Sequence, residues 1–93
     1  MEVVWKYPLE ATFLNEIMMP KGSRILCVQT QKECPCLWVL VPEEEGKKPD
    51  DFECRKFVVV GTGHPLESLW SSTYIGTVQV AGGQLVFHIF ERE

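Results

Sequence analysis

The residues best suited to chemistry in this chain lie in three places. The first is Gly61-Thr62-Gly63-His64-Pro65, directly after the β-branched run Val58-Val59-Val60. Two glycines around a hydroxyl let a backbone turn tightly and expose its N–H groups. Such a nest can hold an anion or a phosphate. The segment lacks the third glycine and following helix of a dinucleotide-binding loop, and no Gly-Lys-Ser/Thr follows to make a P-loop. The plainer reading is a demanding turn in which His64 hydrogen-bonds the loop. The second place is His88, in mid-strand between Phe87 and Ile89. Imidazole suits acid–base and metal chemistry, yet a satisfied, half-buried ring is its ordinary state on a strand. The third is a set of neutral polar residues at period two, Gln29 with Gln31 and Thr77 with Gln79. Together with His88 they can read a base or a sugar without salt-dependent attraction, or simply form a polar outer sheet face.

The candidate ligand-binding residues are therefore Gly61, Thr62, Gly63, His64, Gln29, Gln79 and His88. No catalytic residue is assigned. There is no G-x-S-x-G elbow, no H-E-x-x-H and no nucleophile with an assured base. The carboxylates cluster in loops and termini, away from the rigid scaffold that acid–base work needs. A small hydrolase using His64 and His88 stays an alternative, and no cofactor is expected.

These residues must be positioned by strands, because the apolar pattern alternates or runs short and is rich in β-branched and aromatic types. Seven strands are expected: Val3 to Tyr7, Glu16 to Met19, Arg24 to Gln31, Cys36 to Val41, Phe52 to Val60, Thr73 to Val80 and Leu85 to Phe90. Pro20-Lys21-Gly22-Ser23, Lys32-Glu33-Cys34-Pro35 and Gly82-Gly83 read as turns. In the third strand Leu26, Val28 and Thr30 should share one face, and Ile25, Cys27, Gln29 and Gln31 the other. Leu66 to Trp70 is the single helical candidate, one turn long. Residues 43–51 are charged and carry Gly and Pro, which reads as a mobile loop. The fold expected is all-β: a compact antiparallel sandwich or small barrel of about seven strands, with at most one short helical turn, as a single domain over residues 1–93.

Composition limits the rest. Ninety-three residues with 45% hydrophobic and 24% charged content are one globular domain's worth of chain. A net charge of −4 disfavours nucleic acid polymers, whose phosphates need clustered positive charge. No apolar run approaches a membrane span, and no secretory signal opens the chain. The four cysteines, Cys27, Cys34, Cys36 and Cys54, read as free thiols, since Cys34-Pro35-Cys36 is too tight for the common zinc knuckle; no metal is expected. The aromatic residues exceed what a small β core can bury. Trp5, Tyr7, Trp70 and Tyr74 are the expected partner-binding residues, for another protein or for a second copy of the chain.

Lys6-Tyr7-Pro8-Leu9, Pro20-Lys21-Gly22 with Ile25-Leu26, Gly61-Thr62-Gly63-His64-Pro65, Tyr74-Ile75-Gly76-Thr77 and Leu85-Val86-Phe87-His88 form a recurring combination. In this the chain resembles a family of small proteins encoded by tailed bacteriophages, over nearly its whole length from Lys6 to Glu91. The resemblance implies an origin rather than a mechanism: expression in the cytoplasm of an infected bacterium. The functional expectation is a small non-enzymatic binding protein that blocks a host or defence component. The alternative is a homo-oligomeric sponge for a small nucleotide signal.

Overall fold

The turn chemistry of the sequence divides the chain into strands, and two sheets result. A computed structural model describes residues 1–11, 13–42, 49–65 and 71–93. The strands are β1 (Glu2–Pro8), β2 (Leu14–Pro20), β3 (Arg24–Gln31), β4 (Cys34–Pro42), β5 (Phe52–Gly61), β6 (Ser72–Val80) and β7 (Leu85–Arg92). One sheet has the order β1-β4-β3 and the other β2-β5-β7-β6, every pairing antiparallel. The all-β, seven-strand expectation holds. Among the described residues, helical conformation is confined to one three-residue 3-10 turn, Pro49–Asp51; the Ala81–Gly83 turn runs at positive φ throughout and is not helical. The expected turn at Leu66 to Trp70, and residues 43–48 of the charged segment, lie outside the described residues. The end of that segment is built in, because Asp51 accepts the Lys21 N–H at 2.8 Å. No helix among the described residues is long and apolar enough to cross a membrane.

The core lies between the sheets. Leu37, Val39 and Val41 of β4 meet Phe57 and Val59 of β5, Val78 of β6 and Ile89 of β7, with Leu9, Met19 and Val28 closing the sides. The unbroken apolar run of β4 would suit burial on both faces, but only its inner face is fully buried, through Leu37, Val39 and Val41; on the outer face Cys36 is buried and Trp38 and Leu40 are half-buried. In β7 the alternation puts Ile89 inward, leaving Val86, His88 and Phe90 on the outer face.

Two expectations change. The β3–β4 turn is only Lys32-Glu33, both at positive φ (51° and 65°), so Cys34 is the first residue of β4 and not part of the turn. A two-residue hairpin loop needs this twist to match its strands, even where neither residue is glycine. The second change is the face assignment in β3. A bulge between Ile25 and Cys27 inserts one residue and flips the alternation. Ile25 pairs with Val39 and Val28 with Leu37, so Ile25 and Val28 share the core side, and Leu26 is exposed.

A matching bulge falls in β6 between Tyr74 and Gly76. The edge strands β3 and β6 lie against one another in the same direction but form no ladder. They approach most closely where Gly76 meets Val28, and each kinked edge denies its neighbour a continuous row of backbone groups. At the far tips, the Glu33 carboxylate accepts the Ala81 N–H and ties the β3–β4 turn to the β6–β7 turn.

The cysteines are all free thiols. Burial, and after it the neighbouring Cys34, push the Cys36 thiol above its ordinary value, while Cys54 is exposed. A raised value keeps Cys36 protonated in the fold after it has ionised in the unfolded chain. Its contribution to stability is thus full below the ordinary thiol value and is lost as pH climbs through the raised one. At neutral pH a chromogenic disulfide reagent should modify Cys54 first and Cys36 only when the fold opens, and stability should fall above about pH 8.5. Equal rates for Cys36 and Cys54 at neutral pH contradict this.

Candidate functional site

Among the described residues, a connected set of polar side chains lies on the outer face of the four-stranded sheet. Its register places Val60, His88 and Thr77 side by side on β5, β7 and β6, and Val58, Phe90 and Tyr74 in the next row. Successive residues of one strand point to opposite faces, so these six share a side. His88 is held at both ring nitrogens. Its Nε2 lies 2.6 Å from Thr62 Oγ1 and its Nδ1 2.9 Å from Thr77 Oγ1. The Tyr74 hydroxyl lies 2.5 Å from the same Thr77 Oγ1, and its ring meets Phe90 edge-on at 5.4 Å. The chain Tyr74–Thr77–His88–Thr62 thus crosses β6, β7 and the loop after β5. Thr62, Tyr74 and Thr77 are exposed and His88 is half-buried, while Val58 and Val60 on the same face are buried.

The glycine loop is a turn closed on itself. The His64 N–H donates to the Gly61 carbonyl at 3.2 Å and the Thr62 N–H to Val86 at 3.2 Å. Gly63 takes φ +84°, the left-handed position of such a turn. Two of the N–H groups expected to form an anion nest are therefore engaged within the fold. The His64 ring lies against Gly61, where an added Cβ would come within 3.0 Å of it. Gly61 pairs with inward-facing Phe87, and His64 lines a cleft of about 190 Å³ with Gln84, Leu85 and Phe87. His64 and His88 thus belong to opposite sides of the sheet, and Thr62 is the residue that links the loop to His88.

Gln29 and Gln79 line the same groove at the junction of the two sheets. The groove is open, holds about 410 Å³ between β3 and β6, and is completed by Val28, Thr30, Thr77 and Val78. Thr77 belongs both to this groove and to the hydrogen-bonded chain. Gln31 goes elsewhere: its side-chain oxygen accepts the Lys6 ammonium at 2.6 Å across the outer face of the three-stranded sheet. Of the expected partner-binding residues, Trp5 and Tyr7 lie together on β1, rings 6.3 Å apart, and Tyr74 lies on β6. Trp70 lies outside the described residues.

One constellation escaped the sequence reading. Arg55 and Glu91 form a two-pronged ion pair on the inner face, with Nε–Oε2 at 2.5 Å and Nη2–Oε1 at 2.8 Å. Arg55 Nη1 also donates to the Ser23 carbonyl at 2.7 Å, and so reaches from the four-stranded sheet to the turn that leads into β3. Strand parity carries the signal: Arg55 alternates in phase with Phe57 and Val59, and Glu91 with Ile89. The pair lines a cleft of about 380 Å³ with Arg24, Ile25, Thr73 and Ile75. Among the described residues, no three His, Cys, Asp or Glu side chains gather to hold a metal ion.

No curated protein and no solved structure matches the chain. One family does, described as a domain of unknown function, and its match runs from residue 1 to residue 93. The chain therefore belongs to the DUF7352 family of domains of unknown function.

Proposed function

We propose that this domain is a non-enzymatic binding protein that docks a partner protein on the outer face of its four-stranded sheet. In keeping with the resemblance to small tailed-phage proteins, the partner is a host or defence component of an infected bacterium, blocked in its cytoplasm. The observation that carries the reading is the Tyr74–Thr77–His88–Thr62 chain. Two threonines occupy both nitrogens of His88, which fixes the ring rather than leaving it free as a base. Tyr74 presents an aromatic face that is 56% exposed and fixed through its hydroxyl. Rigid aromatic groups beside fixed hydrogen-bonding groups bind with little ordering cost, and tyrosine is a frequent anchor of protein interfaces.

Truncating an anchor of this kind costs about 2 kcal/mol of binding, so Tyr74→Ala should weaken partner capture about thirtyfold. The melting temperature should stay close to that of the wild type, because the ring is mostly in water. Side-by-side capture from bacterial lysate, with thermal melting of both proteins, is the test. Equal capture by Tyr74→Ala rejects this face.

The groove between Gln29 and Gln79 favours a second reading, a sponge for a small nucleotide. Its neutral amides and hydroxyls match a base or ribose edge. A nucleotide panel in a thermal-shift assay separates the two: a ligand-specific rise in melting temperature, lost in Gln79→Ala, supports the groove, and a flat response across the panel rejects it.

A further inference from the structure

We infer that β1 is a dimerisation edge, which adds a second copy of this chain strand to strand and is independent of the sheet-face reading above. Among the described residues the other edges are less suited to self-pairing. The edges β3 and β6 are bulged and turned against each other. Both β1 and β2 end on a proline, but β2 carries a single charge, Glu16, with no complement in its own strand, whereas β1 carries both Glu2 and Lys6. Among the described residues β1 pairs with β4 alone, in an unbroken register from Glu2↔Pro42 to Pro8↔Cys36. Its free side offers a straight row of backbone groups, with Val4 55% and Trp5 42% exposed. An exposed, regular edge of this kind is a template for another strand whose charges complement its own.

The sequence of β1 selects the partner and the register. Two copies related by a two-fold axis pair antiparallel, and directly opposed residues must share a sheet face. Such pairing must centre on a residue. With Val4 on the axis, Glu2 of each copy lies opposite Lys6 of the other, and Val3 lies opposite Trp5. Both opposite charges and an aromatic against a β-branched residue are favourable cross-strand pairs. Centring on Val3 or Trp5 opposes neither charge to its complement. Pro8, which has no N–H to give a ladder, falls outside the paired stretch. Lys6 keeps donors free for Glu2 while one is given to Gln31. The result is a continuous six-stranded sheet, β3-β4-β1 joined to its symmetry mate. One strand edge per copy is a small interface, so association is reversible and concentration-dependent.

Charge reversal tests the register. Glu2→Lys sets lysine against lysine twice per dimer, and Lys6→Glu sets glutamate against glutamate twice. Each single variant should lose about tenfold or more in association by sedimentation equilibrium. An equimolar mixture of the two should dimerise again, because every opposed pair is then of opposite sign, and this recovery also shows both variants to be folded. In the wild type, hydrogen exchange of the β1 amides should slow with rising protein concentration. A wild type that stays monomeric at millimolar concentration overturns the inference. So do single variants that dimerise like the wild type, a mixture that fails to recover, or β1 exchange that ignores concentration.

Discussion

Arg55→Ala is expected to unfold the domain at a temperature well below the wild type. Truncation leaves the Glu91 carboxylate on the inner face without its two-pronged partner and frees the Ser23 carbonyl. Removing one member of a buried pair costs about 3–5 kcal/mol, and these side chains are 17% and 23% exposed, so about 2–3 kcal/mol is expected after solvent takes its share. For a domain of this size that corresponds to roughly 10–20 °C in melting temperature. The loss comes from an abandoned charge rather than from a missing attraction. Arg55→Met with Glu91→Leu should therefore recover most of it, since an apolar pair of similar volume needs no counter-ion. The Glu91 hydrogen bond raises the Arg55 pKa against the opposing effect of burial. A raised value means the stabilisation is fully present below the ordinary arginine range and is lost only as pH rises beyond it. The penalty of Arg55→Ala should be the same at pH 6 and pH 9 as far as this guanidinium is concerned. A melting temperature within a few degrees of the wild type, or a double variant no better than Arg55→Ala, contradicts this role.

Gly76→Ala should be the most damaging addition of a single methyl group. An added Cβ would stand 2.7 Å from Val28 Cγ1. Val28 is β-branched, buried and part of the core, so it cannot swing aside as a long side chain does. Overpacking of this kind costs about 1–3 kcal/mol, and here the strain falls where the two sheets converge. Because the collision is with one side chain, Val28→Ala in the Gly76→Ala background should recover part of the loss. The two changes should be less than additive in a double-mutant cycle. Full additivity would place the cost of Gly76→Ala elsewhere. The comparison Gly63→Ala meets no neighbour within 4 Å but sits at φ +84°, so it should cost backbone strain alone, about 1–2 kcal/mol.

The strands were legible because their signals are local. Period-two alternation and the turns Pro20-Lys21-Gly22-Ser23 and Gly61-Thr62-Gly63-His64 do not depend on what packs against them. The face of β3 was not legible: a bulge is set by the neighbouring strand's demands, and nothing in Arg24 to Gln31 announces it. Polar contacts between strands were half legible. Thr77, Gln79 and His88 were recognised as one polar set, but their registers decide who meets whom. Register and the loop after β5 place Thr62 on His88 and Tyr74 on Thr77, set Gln29 and Gln79 along one groove, and leave His64 on the other side of the sheet. The Arg55–Glu91 pair was readable in principle from charges at inward parity. It was masked because Arg55 lies in the charged first half of β5 and Glu91 in the charged C-terminal tripeptide.

The most direct test of a recognition surface on the four-stranded sheet is quantitative capture from bacterial lysate with wild type, Tyr74→Ala and a surface control at exposed Glu10, Glu10→Gln, in parallel. The account predicts a stoichiometric protein partner retained by wild type and Glu10→Gln and lost with Tyr74→Ala, all three chains melting alike. A partner held equally by Tyr74→Ala, or no stoichiometric partner for the wild type, would contradict it.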